Sequence, residues 1–135
     1  MTSLESMISL AKQQRNRGDT AAAEAGYAEA AALASSEGSP RLKAHCLRHV
    51  AELAAELGDG NRALAAADEA FAIYRSDSDE QLLNIANTHR VRALALAVLD
   101  RNEDSARDWR SARGLYEDLG IEAGVAECDR RLGSL

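Results

Sequence analysis

The chain has 135 residues, the size of one ordinary domain, and it carries a formal net charge of −6 at pH 7. This charge disfavours nucleic acid and anionic membrane surfaces as partners, and no apolar run approaches the length needed to cross a bilayer. The composition is rich in alanine and leucine with one proline and 4% aromatic residues, which favours α-helix.

Capping signals along the chain predict seven helices. Four glycines, Gly18, Gly38, Gly58 and Gly120, stand where a helix would end in a left-handed residue. The predicted helix starts are marked in chain order by Thr2 with Glu5 as a capping box, by Asp19, by Ser39 before Pro40, by Asp59 or Gly60, by Ser78 with Gln81 as a second capping box, by Asn102, and by EAGVAECDRRL after Gly120.

One pattern of turn residue and small or aromatic residues occurs three times, at a spacing typical of helical-hairpin repeats. The three copies are Gly18, Ala23, Tyr27, Ala30; Gly58, Ala63, Ala67, Ala70; and Asp100, Ser105, Trp109, Ala112. Seven residues before each turn residue stands an alanine, at Ala11, Ala51 and Ala93. Small residues at these positions allow close approach of two helices, so the pattern predicts three antiparallel hairpins.

The strings RGDTAAAEAGYAEAAAL and LGDGNRALAAADEAFAIY carry the likeness to a known family most clearly. They resemble the tetratricopeptide repeat, in a variant with a period of about 40 residues. The resemblance implies an all-α, right-handed helical-hairpin solenoid of three repeats, at about 3–37, 39–76 and 78–119. A capping helix at about 121–133 would cover the last hairpin with Val125, Cys128 and Leu132. An ordinary antiparallel helical bundle is the structural alternative.

Several positions depart from the family pattern. Met7, Leu47 and His89 replace the usual opening aromatic residue, and Arg92 stands where an apolar neighbour of Ala93 is expected. The departure at Arg92 predicts a shifted packing register in the third hairpin. The usual proline after the second helix is missing, and SSEGSP and RSDSD are expected to form longer turns between repeats.

Candidate chemical groups are few. His45 and His49 have a spacing that suits metal chelation, but Cys46 projects away from them and no third ligand completes a site. No phosphate-binding glycine loop, nucleophile elbow or CxxC motif occurs, so we expect no enzyme activity, no cofactor and no metal. Cys46 and Cys128 are expected to be free buried thiols. The bulky aromatic residues are expected to pack between helices: Tyr27, Phe71, Tyr74, Trp109 and Tyr116.

The resemblance implies that the first helix of each hairpin lines a concave groove. The groove-facing residues would be Glu5, Ile8, Lys12, Arg15, His45, Arg48, Glu52, Ala55, Asn87, Arg90, Leu94 and Ala97. Four of them are cationic and two are acidic, which favours an acidic or carboxylate-bearing partner. We therefore expect partner binding at Lys12, Arg15, His45, Arg48, Asn87 and Arg90.

Family members that hold chaperone tails use a five-residue carboxylate clamp of Lys, Asn, Asn, Lys and Arg. The corresponding positions here hold Ile8, Lys12, His49, Asn87 and Val91, and none matches. The resemblance therefore implies a non-catalytic protein-protein interaction module, acting as an adaptor or scaffold that binds another protein's helix or an extended peptide. The lack of an apolar run long enough to cross a bilayer, and of a basic segment ahead of one at the N-terminus, predicts that it acts in the cytoplasm. Self-association as a homodimer and a role as a small regulatory subunit of a larger complex are the alternatives, and the sequence leaves monomer and homodimer both open.

Overall fold

The computed structural model describes residues 3–77 and 81–135, and within these ranges the chain forms seven α-helices and no strand. The all-α, seven-helix prediction is confirmed. The helices are α1 Leu4–Asn16, α2 Thr20–Ser36, α3 Pro40–Glu56, α4 Gly60–Ser76, α5 Leu82–Val98, α6 Asn102–Asp118 and α7 Glu122–Gly133.

Five of the connections are built in the same way. In each connection a residue with positive φ lies two positions after the last residue of the helix. Its N–H and the N–H of the next residue donate to carbonyls of the last helical turn, as in a Schellman motif. The positive-φ residues are Gly18, Gly38, Gly58, Asp100 and Gly120. Asp100, at φ 58°, is the one side-chain-bearing residue among the described positions that adopts this conformation. The predicted left-handed helix ends are confirmed.

These uniform turns fix the spacing of the helices. Helices α2, α3 and α4 begin at residues 20, 40 and 60, and helices α5, α6 and α7 begin at 82, 102 and 122. The prediction of a longer turn at SSEGSP is wrong, since α2 continues to Ser36 and the turn is as short as the others. Only the α4–α5 connection is two residues longer.

Some predicted helix starts need correction. Ser3 caps α1 and accepts a hydrogen bond from the Ser6 N–H at 3.1 Å, while Thr2 and Ser78 lie outside the described residues. Asn102 is the first residue of α6, because the Schellman turn at Asp100 places Arg101 at the cap. Asp59 caps α4 as predicted, accepting from the Arg62 N–H at 3.1 Å.

The helices pack in chain order. Each helix packs against its successor, and α3 also packs against α5. The predicted small residues are buried at these contacts, with Ala11, Ala51 and Ala93 fully inaccessible, and the five predicted aromatic core residues are buried too. Ser105 takes an alanine position by donating its hydroxyl to the Ala93 carbonyl at 2.8 Å.

The expected register shift at Arg92 does not occur. Ala51 lies 11 residues after the first residue of α3, and Ala93 lies 11 residues after the first residue of α5. Arg92 is accommodated because its guanidinium stacks 4.4 Å over the ring of Phe71 and pairs with Asp108. A charged residue therefore stands at this position without moving the helix.

The C-terminal helix packs as expected. Val125, Cys128 and Leu132 join Trp109 and Tyr116 in one apolar cluster. Gly124 permits a close approach, because a Cβ at this position would lie 2.5 Å from the ring of Tyr116. This contact packs the first turns of α7 against α6.

Candidate functional site

Three of the predicted partner-binding residues lie together. Arg48 of α3 and Asn87 and Arg90 of α5 line one cleft, of about 290 Å³, which the first turns of α7 close on the other side. His45 lies beside this cleft, with its Nδ1 3.5 Å from Nη2 of Arg48. Lys12 is exposed on α1 and Arg15 pairs with α3, so neither belongs to the cleft.

Alternating charges connect the odd-numbered helices, and we call these four residues the ion-pair ladder: Arg15, Glu52, Arg90 and Glu127. Arg15 of α1 donates to Glu52 of α3. Arg90 of α5 donates to Glu52 at 2.5 Å and to both carboxylate oxygens of Glu127 at 2.5 and 3.2 Å. Two of the cations that the sequence assigned to a partner are therefore neutralised within the protein.

The ladder shifts the pKa values of its two central residues, Glu52 and Arg90. Burial opposes ionisation of Glu52, but Arg90 and Arg15 outweigh it and hold the pKa of this carboxyl below its usual value. Burial likewise opposes the charge of Arg90, but the two carboxylates raise its pKa. Glu127 was not predicted to contribute, because α7 was assigned only a capping role.

Arg48 has no such compensation. No carboxylate of the described residues forms an ion pair with it, and its Nε is buried without a hydrogen-bond partner. A buried N–H of a charged group that lacks an acceptor is costly, so such a group calls for a functional explanation. Among the predicted cations, Arg48 is the one that lines the cleft with its charge uncompensated.

The two histidines of α3 form an aromatic group with Tyr27 beside Arg48. His49 stacks on Tyr27 with ring centroids 4.5 Å apart, and His45 meets His49 edge-on at 4.7 Å. Arg15 donates to Nδ1 of His49 at 2.8 Å. Burial, with Arg48 next in effect, lowers the pKa of His49 to about 3 and also lowers that of His45, so both rings are neutral at pH 7.

Metal binding and thiol chemistry find little support here. Within residues 3–77 and 81–135, no three His, Cys, Asp or Glu side chains converge as metal ligands would. Cys46 and Cys128 are free and buried as predicted, and burial raises the pKa of each to about 11. Each side chain is therefore a protonated thiol at neutral pH and a poor nucleophile.

A second charged cluster, on α4, α5 and α6, was missed by the sequence reasoning. Asp108, 4% exposed, accepts from Arg92 at 2.9 and 3.0 Å and lies 2.7 Å from Nδ1 of His89. Burial opposes ionisation of Asp108, but His89 and Arg92 together lower its pKa. Arg92 was noticed only as a misfit, and nothing near Asp108 in the sequence signals its burial. Because these charges pair with one another, we assign the cluster the structural role of joining the helices that carry them.

No family model, curated protein or solved structure matches this chain. Within the part of the chain that the structure describes, no helix is both long enough and apolar enough to cross a membrane. The established class is therefore a coarse one: a helical protein whose described residues form seven helices, most of them joined by the same short turn. Its function must be argued from the cleft itself.

Proposed function

We propose that this protein is a non-catalytic interaction module that binds a helix or an extended peptide of another protein along the surface of α1, α3, α5 and α7. The observation that carries the proposal is Arg48, a cation that lines a cleft on that surface and has no carboxylate partner among the described residues. The ladder supports it, because its ion pairs connect each odd-numbered helix to the next, α1 to α3, α3 to α5 and α5 to α7. Such a row of helices offers an extended groove.

We further propose that the seven helices form a tetratricopeptide-like, right-handed solenoid of three hairpins with a capping helix. Recurrence of buried alanines at one helical position and of one turn geometry supports this architecture. Cytoplasmic action is part of the proposal, since two free buried thiols suit a reducing compartment.

A peptide selection tests the proposal. The immobilised protein selects from a random peptide library, and the enriched peptides are synthesised and titrated by calorimetry. Amide chemical shifts then locate the binding surface, and we expect perturbations on α3, α5 and α7. Failure to enrich any peptide, or perturbations confined to α2, α4 and α6, would contradict the proposal.

Light scattering separates the proposal from self-association. A binding module of this kind is expected to be monomeric at micromolar concentration, whereas a homodimer would cover an apolar helix face. A mass of twice 14.5 kDa together with failed peptide selection would favour the homodimer.

Arg48 is a cleaner position for mutation than Arg90. Reversing Arg90 to Glu would place three carboxylates together, because Glu52 and Glu127 already contact it. Loss of binding in that variant would not separate recognition from unfolding.

A further inference from the structure

We infer that the cleft at Arg48 is a subsite for a single carboxylate group of the partner. The inference rests on the proposed function, because it names the chemistry by which that surface would hold its ligand. The subsite shares Asn87 with the positions that correspond to the family's carboxylate clamp, but its leading residue, Arg48, is not one of them.

The guanidinium of Arg48 has hydrogen-bonding capacity that the described residues do not satisfy. A guanidinium carries five N–H donors in a plane and pairs best with a carboxylate, which accepts two of them at once. Nε of Arg48 has no acceptor and Nη2 reaches only the ring nitrogen of His45 at 3.5 Å. Because Nε is inaccessible to solvent, a carboxylate in the cleft would meet Arg48 through the atoms of its guanidinium that line the cleft.

Arg90 stands at the same helical position as Arg48, on the next odd-numbered helix. Arg48 and Arg90 each lie eight residues after the first residue of their helix and three before the buried alanine. Arg90 contacts Glu52 of the preceding odd-numbered helix and Glu127 of the following one. By the same register, Arg48 has Lys12 in place of Glu52 and Asn87 in place of Glu127. Both internal carboxylates are thus replaced around Arg48, and a ligand's carboxylate would replace them.

The polar groups around the cleft favour one sign of ligand charge. Asn87 accepts the Tyr116 hydroxyl on Oδ1 at 2.5 Å, which leaves its NH₂ group to donate. The first turn of α7 borders the cleft with its positive end, and no side chain caps that turn. Glu127 also lines the cleft but is engaged in the ion-pair ladder, and Glu122 stands in the first turn of α7. The groups left to bind a ligand, Arg48 and the Asn87 NH₂, favour an anion.

Glu52 and Glu127 limit the negative charge that a ligand in the cleft can carry. Arg90 also lines the cleft, but its charge is balanced by Glu52 and Glu127. A second carboxylate on the ligand would approach these glutamates and be repelled. The cleft is therefore matched to one carboxylate, whether a chain terminus or an acidic side chain, and not to a run of acidic residues.

Small carboxylates test the subsite without any need for a natural partner. The probes are acetate, N-acetylalanine as a chain terminus, the α-amide of N-acetylglutamate as a side chain, and N-acetylalaninamide as the neutral control. The readout is the Arg48 Nε–H and Asn87 NH₂ signals in ¹H–¹⁵N spectra. We expect saturable shifts with the carboxylates and none with the neutral amide, and the two acidic probes distinguish the two sources of carboxylate.

Two variants and a control sharpen the result. Arg48→Gln removes the cation, and Asn87→Asp supplies an internal carboxylate with almost no change in shape. Both are expected to weaken carboxylate binding about tenfold or more. Arg110→Gln, at an exposed arginine of α6, should bind as the wild type does. Circular dichroism and a thermal melt establish that each variant is folded.

The outcomes separate the subsite from the proposed function. Non-saturable shifts, equal shifts with the neutral amide, or unchanged affinity in folded Arg48→Gln would overturn the subsite. If Arg48→Gln does not fold, the wild-type comparison of acid and amide decides alone. Selected peptides that bind Arg48→Gln unchanged would leave the function standing without the subsite. Saturable carboxylate binding with failed peptide selection would do the reverse.

Discussion

Arg48 and Arg90 occupy the same position in two successive odd-numbered helices, yet their surroundings differ. Arg90 is held by carboxylates from α3 and α7, while Arg48 meets a histidine and an amide-lined cleft. The difference arises on neighbouring helices, at residues far away in sequence. Helical register therefore determines where a side chain lies, and the residues on the adjoining helices determine whether its charge is available to a partner.

The largest expected effect compares the two arginines directly by substitution with glutamine. Arg90→Gln should lower the free energy of unfolding by about 2 to 3 kcal/mol, because it leaves Glu127 with only a 3.9 Å contact to Arg131 and Glu52 with Arg15 alone. Arg48→Gln should change it by no more than about 0.5 kcal/mol, since no internal ion pair is lost. Urea denaturation measures both, with Arg110→Gln as the exposed reference. Equal losses for the two variants would remove the distinction.

The shared register is tested at the alanines that follow the two arginines. Ala51→Leu and Ala93→Leu should each cost about 1 to 3 kcal/mol, because both positions are fully buried at close helix contacts. Ala22→Leu, on the exposed side of α2, should cost much less. A loss at one buried alanine and none at the other, by thermal or urea unfolding, would show that the two helices do not pack equivalently.

The surroundings of Arg48 should also depend on pH where those of Arg90 do not. His49 has its pKa lowered to about 3, and the corresponding residue of α5 is Val91. Below pH 6.5 the unfolded chain binds a proton that the folded chain refuses, so stability is complete above pH 6.5 and falls as the pH drops toward 3. We expect a loss of about 1 to 2 kcal/mol between pH 7 and pH 5.

A glutamine variant isolates this contribution. His49→Gln retains an acceptor for Arg15 and should show a shallower dependence of unfolding free energy on pH over the same interval. The lowered pKa values of Glu52 and Asp108 act elsewhere, because carboxylate stabilisation is present above the ordinary carboxyl pKa and is lost only at lower pH. An unchanged slope in His49→Gln would assign the dependence to another group.

The smallest changes in stability are expected when a carboxylate is added near Arg48 or removed near Arg90. Asn87→Asp should stabilise the protein by about 1 kcal/mol at pH 7, because the new carboxylate faces the cleft of Arg48. Glu127→Gln should destabilise it by about the same amount, since Arg90 loses one carboxylate and keeps the other. Thermal melts compare both with the wild type. Destabilisation by Asn87→Asp would mean that Arg48 does not reach a carboxylate at this position.

From the sequence we could predict the seven helices, the small residues at the helix contacts and most of the turns. These features depend on local chemistry: a glycine relieves strain at positive φ, and an alanine admits a close neighbour wherever it stands in the repeat. The cap of α1 was misplaced by one residue because Thr2 and Ser3 are both favourable capping residues. The cap of α6 was misplaced because Arg101 forms no side-chain cap that the sequence could signal.

Which charged residues remain free to bind a partner depends on how the helices pack, and the sequence alone did not show this. The sequence placed Arg15, Arg48 and Arg90 on one surface, and the fold then paired Arg15 and Arg90 with Glu52 and Glu127. The burial of Asp108 beneath Arg92 was likewise invisible, because its partner is 16 residues away on another helix. Ion pairing depends on atoms brought within a few ångströms by packing, and a linear pattern of residue types does not contain those distances.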